Sequence, residues 1–348
     1  MSSLRLPPLP SIRDILKLYH LNAIKRLSQN FLMDQNLCDK IIKKAGNFAG
    51  AHVLEVGPGP GGLTRSILKQ APKRVVVVEK DRRFEPTLDM LADSFSAVNG
   101  DMDVIYDDIL KTNMESLFPM EEKRNWSERS PNIYLIGNLP FSLSTYLIVK
   151  WLHAISEQQG PWAFGRTQMT LTFQKEVAER LVAPVAGEQR CRLSIMAQTW
   201  TYPVLRFIIP GKAFVPKPDV DVGVVSFTPL VKPRTRHDFK LFEKITRHLF
   251  SFRQKYSRRC IETLFPLHCR EELSLMMYKL SDLDPKMRPM QFTVEDVDRL
   301  TTAYKYLVEK HPEIGLYNYR ASRRLLALSQ TKNIVVQDCA QVSEETNI

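Results

Sequence analysis

The sequence predicts an α/β protein, an open, doubly wound sheet followed by a small C-terminal helical domain. Three observations carry that reading. Through the first two thirds of the 348 residues, short apolar runs alternate with amphipathic stretches, the rhythm of strands covered by helices. One run, Arg74–Glu79 (RVVVVE), is β-branched at successive positions, as a parallel strand buried on both faces requires. Beyond Pro229 and Pro233 the period changes. Phe239, Phe242, Ile245, Leu249, Phe252 and Tyr256 recur at spacings of three and four, which marks one amphipathic helix.

Taken in order, residues 11–24 predict a helix started by Ser11, with Ile12, Ile15, Leu18 and Tyr19 on one face. A second helix is expected over Gln35–Ala45. Strands follow at His52–Val56, Arg74–Glu79, 103–106, 132–136 and 167–173, interleaved with helical stretches at 63–69, 88–93 and 176–181. A late strand over 222–227 suits antiparallel pairing near the sheet edge. The expected organisation is an N-terminal extension (1–25), the sheet domain (26–232), a helical domain (233–330) and a polar tail (331–348).

Lys and Arg number 49 against 38 Asp and Glu, a formal charge of +11, which favours a polyanionic partner such as nucleic acid or an anionic membrane face. The excess is concentrated: residues 231–260 hold ten Lys/Arg and two Asp/Glu. Within them Lys240, Lys244 and Arg247 fall on one helix face, followed by Arg253, Lys255, Arg258 and Arg259. Such a surface neutralises phosphates without reading sequence, although an ordinary solvated face has the same composition. No apolar run approaches the roughly 18 residues of a membrane span. Five scattered cysteines without CxxC spacing argue against a disulfide framework or a zinc site, and their odd number fits a reducing compartment. The N-terminus has no secretory apolar core. Its Arg5, Arg13 and Lys17 suit an organellar import sequence, whereas Asp14 and Pro7, Pro8 and Pro10 do not.

Between the first strand and its helix lies Leu54-Glu55-Val56-Gly57-Pro58-Gly59-Pro60-Gly61-Gly62. Glycines there let the backbone turn tightly and approach a ligand that a Cβ would block. Gly57, Gly59 and Gly62 satisfy GxGxxG, a spacing that serves NAD and S-adenosylmethionine alike. Glu79 ends the next strand, where its carboxylate can accept from both ribose hydroxyls; a solvated strand-end charge paired with Lys80 or Arg82 is the plainer alternative. Asp107 and Asp108 follow the third strand, and the residues alone do not rank them as partners for an adenine amino group. Glycines, Glu79 and an aspartate at successive strand ends suit a nucleoside without a pyrophosphate.

Asn138-Leu139-Pro140-Phe141 follows the fourth strand directly. An adenine N6 is a poor nucleophile because its lone pair is delocalised into the ring. The Asn138 side-chain oxygen and the Leu139 carbonyl can hold its NH2 and favour a more tetrahedral nitrogen. Pro140 stiffens the turn and offers no competing N–H. Phe141 can stack on the base, an interaction worth roughly 1–3 kcal/mol. With a sulfonium-activated methyl group neither a strong base nor a metal is required, and the protein's task is positioning. The tetrapeptide indicates methyl transfer to a planar amino group, and an Asn-Pro turn with a core phenylalanine is its plainer reading.

Four segments in order resemble the ribosomal RNA adenine dimethyltransferases: Ser28-Gln29-Asn30-Phe31-Leu32-Met33-Asp34, the glycine turn, the tetrapeptide, and Ile209-Pro210-Gly211-Lys212-Ala213-Phe214-Val215-Pro216-Lys217-Pro218-Asp219-Val220. The likeness runs over about residues 20–325. Leu6-Pro7-Pro8-Leu9-Pro10 and Gly165-Arg166-Thr167-Gln168 resemble the family's mitochondrial branch. The resemblance implies a Rossmann-like class I methyltransferase sheet and S-adenosylmethionine as cofactor, while the basic surface of the helical domain, Arg258 and Arg259 included, is expected to bind the RNA substrate. It places Gln29, Asn30 and Leu32 on the cofactor, Glu55 and Gly57 at its methionine end, and Glu79 at the ribose with Lys80 beside it. It puts Asp108, ranked above Asp107, and Ile109 at the adenine, and lets Asn138 bridge cofactor and target. Phe214 would face Phe141 across a flipped adenine; many relatives have Tyr where this chain has Phe141. The implied substrate is two adjacent adenosines in the 3′ stem-loop of mitochondrial small-subunit (12S) rRNA, each converted to N6,N6-dimethyladenosine. The implied setting is a monomer in the mitochondrial matrix, serving small-subunit assembly and translation. Two rivals are a mitochondrial transcription factor that keeps the fold without methylation, and a methyltransferase acting on DNA adenine or a protein amide.

Overall fold

The computed structural model describes residues 4–19 and 29–319. The chain divides into two compact units between Arg236 and His237.

The first unit begins with α1 (Ile12–Leu18), capped by the Ser11 side chain accepting from Asp14 N. Ile12 and Ile15 are buried, but Leu18 and Tyr19 are exposed. The apolar face is thus shorter than expected, because the helix stops at Leu18; positions 20–24 of the expected helix lie outside the described residues. The extension is tied to the sheet domain by Leu4 N donating to Lys69 O and by Arg65 donating to Pro10 O. Next come β1 (Phe31–Leu32), α2 (Gln35–Ala45), β2 (His52–Val56), α3 (Gly62–Leu68), β3 (Arg74–Glu79), α4 (Glu85–Ser96), β4 (Met102–Tyr106) and β5 (Ile133–Gly137). They are followed by α5 (Phe141–Ser156), β6 (Gln168–Gln174), α6 (Lys175–Val182), α7 (Arg192–Trp200), β7 (Thr201–Ile209), β8 (Phe214–Val215) and β9 (Val222–Pro229).

Seven of these strands form one sheet in the order β4-β3-β2-β5-β6-β9-β7. The first five are parallel, β9 runs antiparallel to β6, and β7 runs antiparallel to β9, so that β9 alone is reversed. Val53, Val75 and Val77 face a core shared with Ile41 and Ile42 of α2, Leu63 and Ile67 of α3, and Leu88 and Leu91 of α4. The alternate residues Leu54, Val76 and Val78 are buried too, so both faces of the central strands are covered. The late strand β9 is antiparallel as expected and lies next to the edge, which β7 occupies. The sequence signal for β7 is blunted by Pro203, which an edge strand tolerates because no ladder donor is needed on its open side. Helix α5 was also not anticipated: Thr145, Ile148, Val149 and three aromatics (Phe141, Tyr146 and Trp151) lower its intrinsic propensity, and burial of Leu147, Ile148, Trp151, Leu152 and Ile155 outweighs that.

The second unit is helical: α8 (Phe239–Leu249), α9 (Ser257–Ile261), α10 (Arg270–Ser281), α11 (Val294–Lys310) and α12 (Pro312–Leu316). Asp238 caps α8 by accepting from Leu241 N. The helix expected to run to Tyr256 ends seven residues earlier, at Leu249. Ser251 turns both its N–H and its hydroxyl onto the His248 carbonyl, a local bond that competes with helix continuation. Tyr256 is consequently exposed.

Candidate active site

The chain leaves β2 toward β3 and β4 on one side and returns to β5 on the other. Loops from β2 and β5 therefore diverge, and a crevice opens at their carboxyl ends, where open sheets bind ligands. Val56 is paired with Gly137, so the glycine turn and Asn138 leave the sheet side by side. A cavity of about 260 Å³ lies there. Gln29, Asn30, Leu32, Glu55, Gly57, Gly59, Glu79, Lys80, Asp108, Ile109 and Asn138 all line it, as do Asp107, Leu139 and Pro140.

Gly57 and Gly59 have φ of +67° and +54°, the left-handed region that L side chains rarely occupy. Among the described residues a Cβ on Gly57, which lines the cavity, would meet no neighbour within 4 Å. Glu79 ties this turn down. Its Oε2 accepts from Gly59 N at 2.9 Å and its Oε1 from Asp81 N at 2.8 Å. Burial raises the Glu79 carboxyl above its usual range, while these two N–H donors act to lower it. Glu79 is thus a built part of the turn and not a solvated strand end.

Glu55 is 1% exposed. Burial pushes its carboxyl up to about 8, opposed by the Thr64 hydroxyl and reinforced by the charge of Glu79. Among the described residues its buried Oε2 has no hydrogen-bond partner, a costly state for a carboxylate unless a ligand in the cavity supplies a donor. Asp108 accepts from Lys80 Nζ at 2.8 Å and from Leu110 N at 3.0 Å, and the hydrogen bond from Lys80 holds its carboxyl below the ordinary value. Asp107 caps Asp108 N at 2.7 Å. Gln29 donates to Asp81 at 2.9 Å.

Asn138 is held at both ends of its carboxamide. Its Nδ2 donates to Asn30 O at 3.1 Å, and its Oδ1 accepts from the Thr172 hydroxyl at 2.7 Å. The N-terminal motif and the tetrapeptide, more than a hundred residues apart, are thus in direct contact. Pro140 stands at the N-cap position of α5, and Phe141 is its first residue. Thr172 was not predicted; its only sequence signal is a second polar residue, after Thr170, among the apolar Met169, Leu171 and Phe173 of β6.

Four predicted residues lie elsewhere. Phe141 is half-buried and packs at the margin of the core cluster that contains Phe214. Phe214 is 1% exposed, and its strand β8 pairs antiparallel with β1, Leu32 opposite Phe214. Phe214 thus packs within the core cluster and not along the cavity lining. That ladder also joins the first and last of the four sequence motifs. Arg258 and Arg259 belong to the second unit, where both ion-pair with Glu262, at 3.3 and 3.7 Å.

The fold and crevice define an α/β protein with a strand-end cavity between a glycine turn and a side-chain amide fixed at both ends. Residues 20–297 match the ribosomal RNA adenine dimethylase family, and the chain belongs to that family. It is 51% identical to the mitochondrial dimethyladenosine transferase 1 of Homo sapiens over 320 residues, 92% of each chain. To the protein of that name from Drosophila pseudoobscura pseudoobscura it is 51% identical over 323 residues, covering 92% of this chain and 94% of that one. Among solved structures, a dimethyladenosine transferase from Plasmodium falciparum superposes with a TM-score of 0.59 at 21% identity, over 79% of this chain and 98% of that one. The 23S rRNA methyltransferase ErmE gives 0.55 at 19% identity, over 79% and 99%. These two likenesses establish the fold. The chain is an rRNA adenine dimethyltransferase by family.

Proposed function

We propose that the cavity binds S-adenosylmethionine and that the chain dimethylates N6 of two adjacent adenosines in the 3′ stem-loop of mitochondrial small-subunit rRNA, acting as a monomer in the matrix during small-subunit assembly. The observation that carries this reading is the Asn138 carboxamide, oriented at both ends beside the glycine turn of a nucleoside-sized cavity. The mitochondrial setting is supported by the names of relatives about half identical over nearly the whole chain. The residues fit the cofactor. The orphaned Glu55 Oε2 suits its ammonium, Glu79 retains lone pairs for ribose hydroxyls, and the Gly57 cradle has space that a Cβ would fill. When bound, the cofactor supplies a methyl group already electrophilic at its sulfonium.

The protein's part is positioning. Asn138 Oδ1 and the Leu139 carbonyl accept from the target NH2 and favour a nucleophilic nitrogen. Pro140 keeps a competing donor out of the turn, and Phe141 supplies a ring for the base once it is drawn from its stack. The proton lost from N6 passes to solvent. In the second unit, the exposed cations of α8 and α9 supply sequence-blind grip on phosphates. The intact glycine turn and tetrapeptide do not favour a transcription factor without methylation.

The test is transfer of a tritiated methyl group to a small-subunit rRNA helix, with DNA and protein acceptors alongside. Wild type should modify the rRNA helix alone. Asn138→Ala should slow transfer on the order of a hundredfold, the scale for losing one group that stabilises a transition state. Transfer to DNA or protein in preference to RNA, or an unimpaired Asn138→Ala enzyme, would reject the assignment.

A further inference from the structure

The carboxyl end of β6 carries a buried hydroxyl that the proposed reaction leaves without a role. Leu171 is paired with Gly137 across β6 and β5. Thr172 is the next residue and so lies beside Asn138, the residue after Gly137. Its hydroxyl donates to Asn138 Oδ1 at 2.7 Å. Thr170, two positions earlier on the same face, is satisfied differently, by the Ser226 hydroxyl at 2.8 Å. The hydroxyl at 172 is therefore directed at the tetrapeptide, not into the sheet's own polar pair.

The chemistry of the two bonds on Asn138 is unequal. A backbone carbonyl only accepts, so Asn30 O fixes which end of the carboxamide is nitrogen; the reversed amide would set two oxygens together. That bond alone leaves the group free to swing about one contact. The Thr172 hydroxyl fixes the other end and occupies one of the two lone pairs on Oδ1, which leaves a single acceptor position for the base. We infer that Thr172 is a positioning residue for methyl transfer, holding the Asn138 carboxamide so that the remaining lone pair of Oδ1 meets the N6 amino group. The inference rests on the role assigned to Asn138 under the proposed function.

Thr172→Val has nearly the shape of threonine and removes only the donor, while Thr172→Ser keeps it. Both are compared with wild type and Asn138→Ala in the full-length protein, by single-turnover methyl transfer to the rRNA helix, by KM for that RNA, and by Tm. Loss of one neutral hydrogen bond at the reacting group corresponds to about tenfold in rate. Thr172→Val should show that loss in kcat with KM for RNA within about twofold. Thr172→Ser should recover most of the rate, and neither Tm should follow the rate. A Thr172→Val enzyme at the wild-type rate beside an impaired Asn138→Ala overturns the role of Thr172 and leaves that of Asn138 standing. Equal slowing in Val and Ser variants with parallel loss of Tm makes Thr172 a packing residue and overturns the inference. Wild-type rate in Asn138→Ala removes the assignment of Asn138, and this one with it.

Discussion

The cavity of the first unit and the basic helices of the second are both read from short sequence segments, yet only one of them keeps its charged groups in the state the segments suggest. In the cavity, Glu79, Asp108 and Asn138 sit at strand ends, where register decides their partners, and those partners leave lone pairs for a ligand. Among the cations, Arg258 and Arg259 find their partner locally in Glu262, but those of Lys244 arrive from distant sequence. Lys244 donates to Tyr304 at 2.6 Å and to Gly315 O at 3.3 Å, and burial, reinforced by Arg247, lowers its pKa. It is a core-edge residue of the helical unit, not a free phosphate ligand. Lys240 and Arg247, on the same helix, are exposed. Position on a helix face tells where a cation points, and what it meets there is set by elements the local sequence does not describe.

The largest effect expected on the cavity side comes from Glu79→Gln. Both carboxylate oxygens accept backbone N–H groups, and glutamine would turn an NH2 against one of them. A buried donor left facing a donor costs about 1–3 kcal/mol. Cofactor affinity should fall about tenfold or more in calorimetry, with a drop in Tm. An unchanged affinity would break the link between Glu79 and the glycine turn.

A pH effect comes next, from Glu55. Its folded pKa, about 8, lies above the ordinary 4.5, so the stability it contributes is complete below the unfolded value and is lost as pH rises through about 8. The Tm of the ligand-free protein should therefore decline between about pH 5 and pH 8 more steeply in wild type than in Glu55→Gln. Binding of an ammonium-bearing cofactor favours the carboxylate. Titration at pH 7 should then release close to one proton, read as a dependence of binding heat on buffer ionisation enthalpy. Glu55→Gln should abolish that dependence, and a wild type without it would show that Glu55 does not meet a cation.

The central strands and the cavity were legible in the sequence because each depends on local pattern. RVVVVE can be buried on both faces in only a few ways, and a glycine turn between strand and helix has a fixed place in a parallel sheet. The β1–β8 ribbon was not legible. It joins Leu32 to Phe214 through two-residue strands with no period of their own. The same ribbon buries Phe214, and an aromatic in a proline-bounded loop carries no local mark of how deeply it packs. The Thr172–Asn138 bond was hidden for a related reason, since adjacency of β6 and β5 is a property of sheet order and not of either strand.

Arg258 and Arg259 give the smallest expected effect and divide the two kinds of cation most finely. They are consecutive and share Glu262, whose side chain is 10% exposed. Arg258 is 37% exposed and contributes Nε at 3.3 Å, whereas Arg259 is 67% exposed and stands off at 3.7 Å. Arg258→Ala should therefore act mainly on stability, by no more than about 1 kcal/mol because the pair is partly solvated. Arg259→Ala should leave Tm almost unmoved. If the second unit grips phosphates, Arg259→Ala should weaken RNA binding a few-fold at low salt and reduce the salt slope by about one counterion, with cofactor affinity unchanged. Identical effects of the two substitutions on RNA affinity would mean that the ion pair with Glu262 does not withdraw Arg258 from solution. Parallel loss of RNA and cofactor binding would mean that the two units do not divide the work between them.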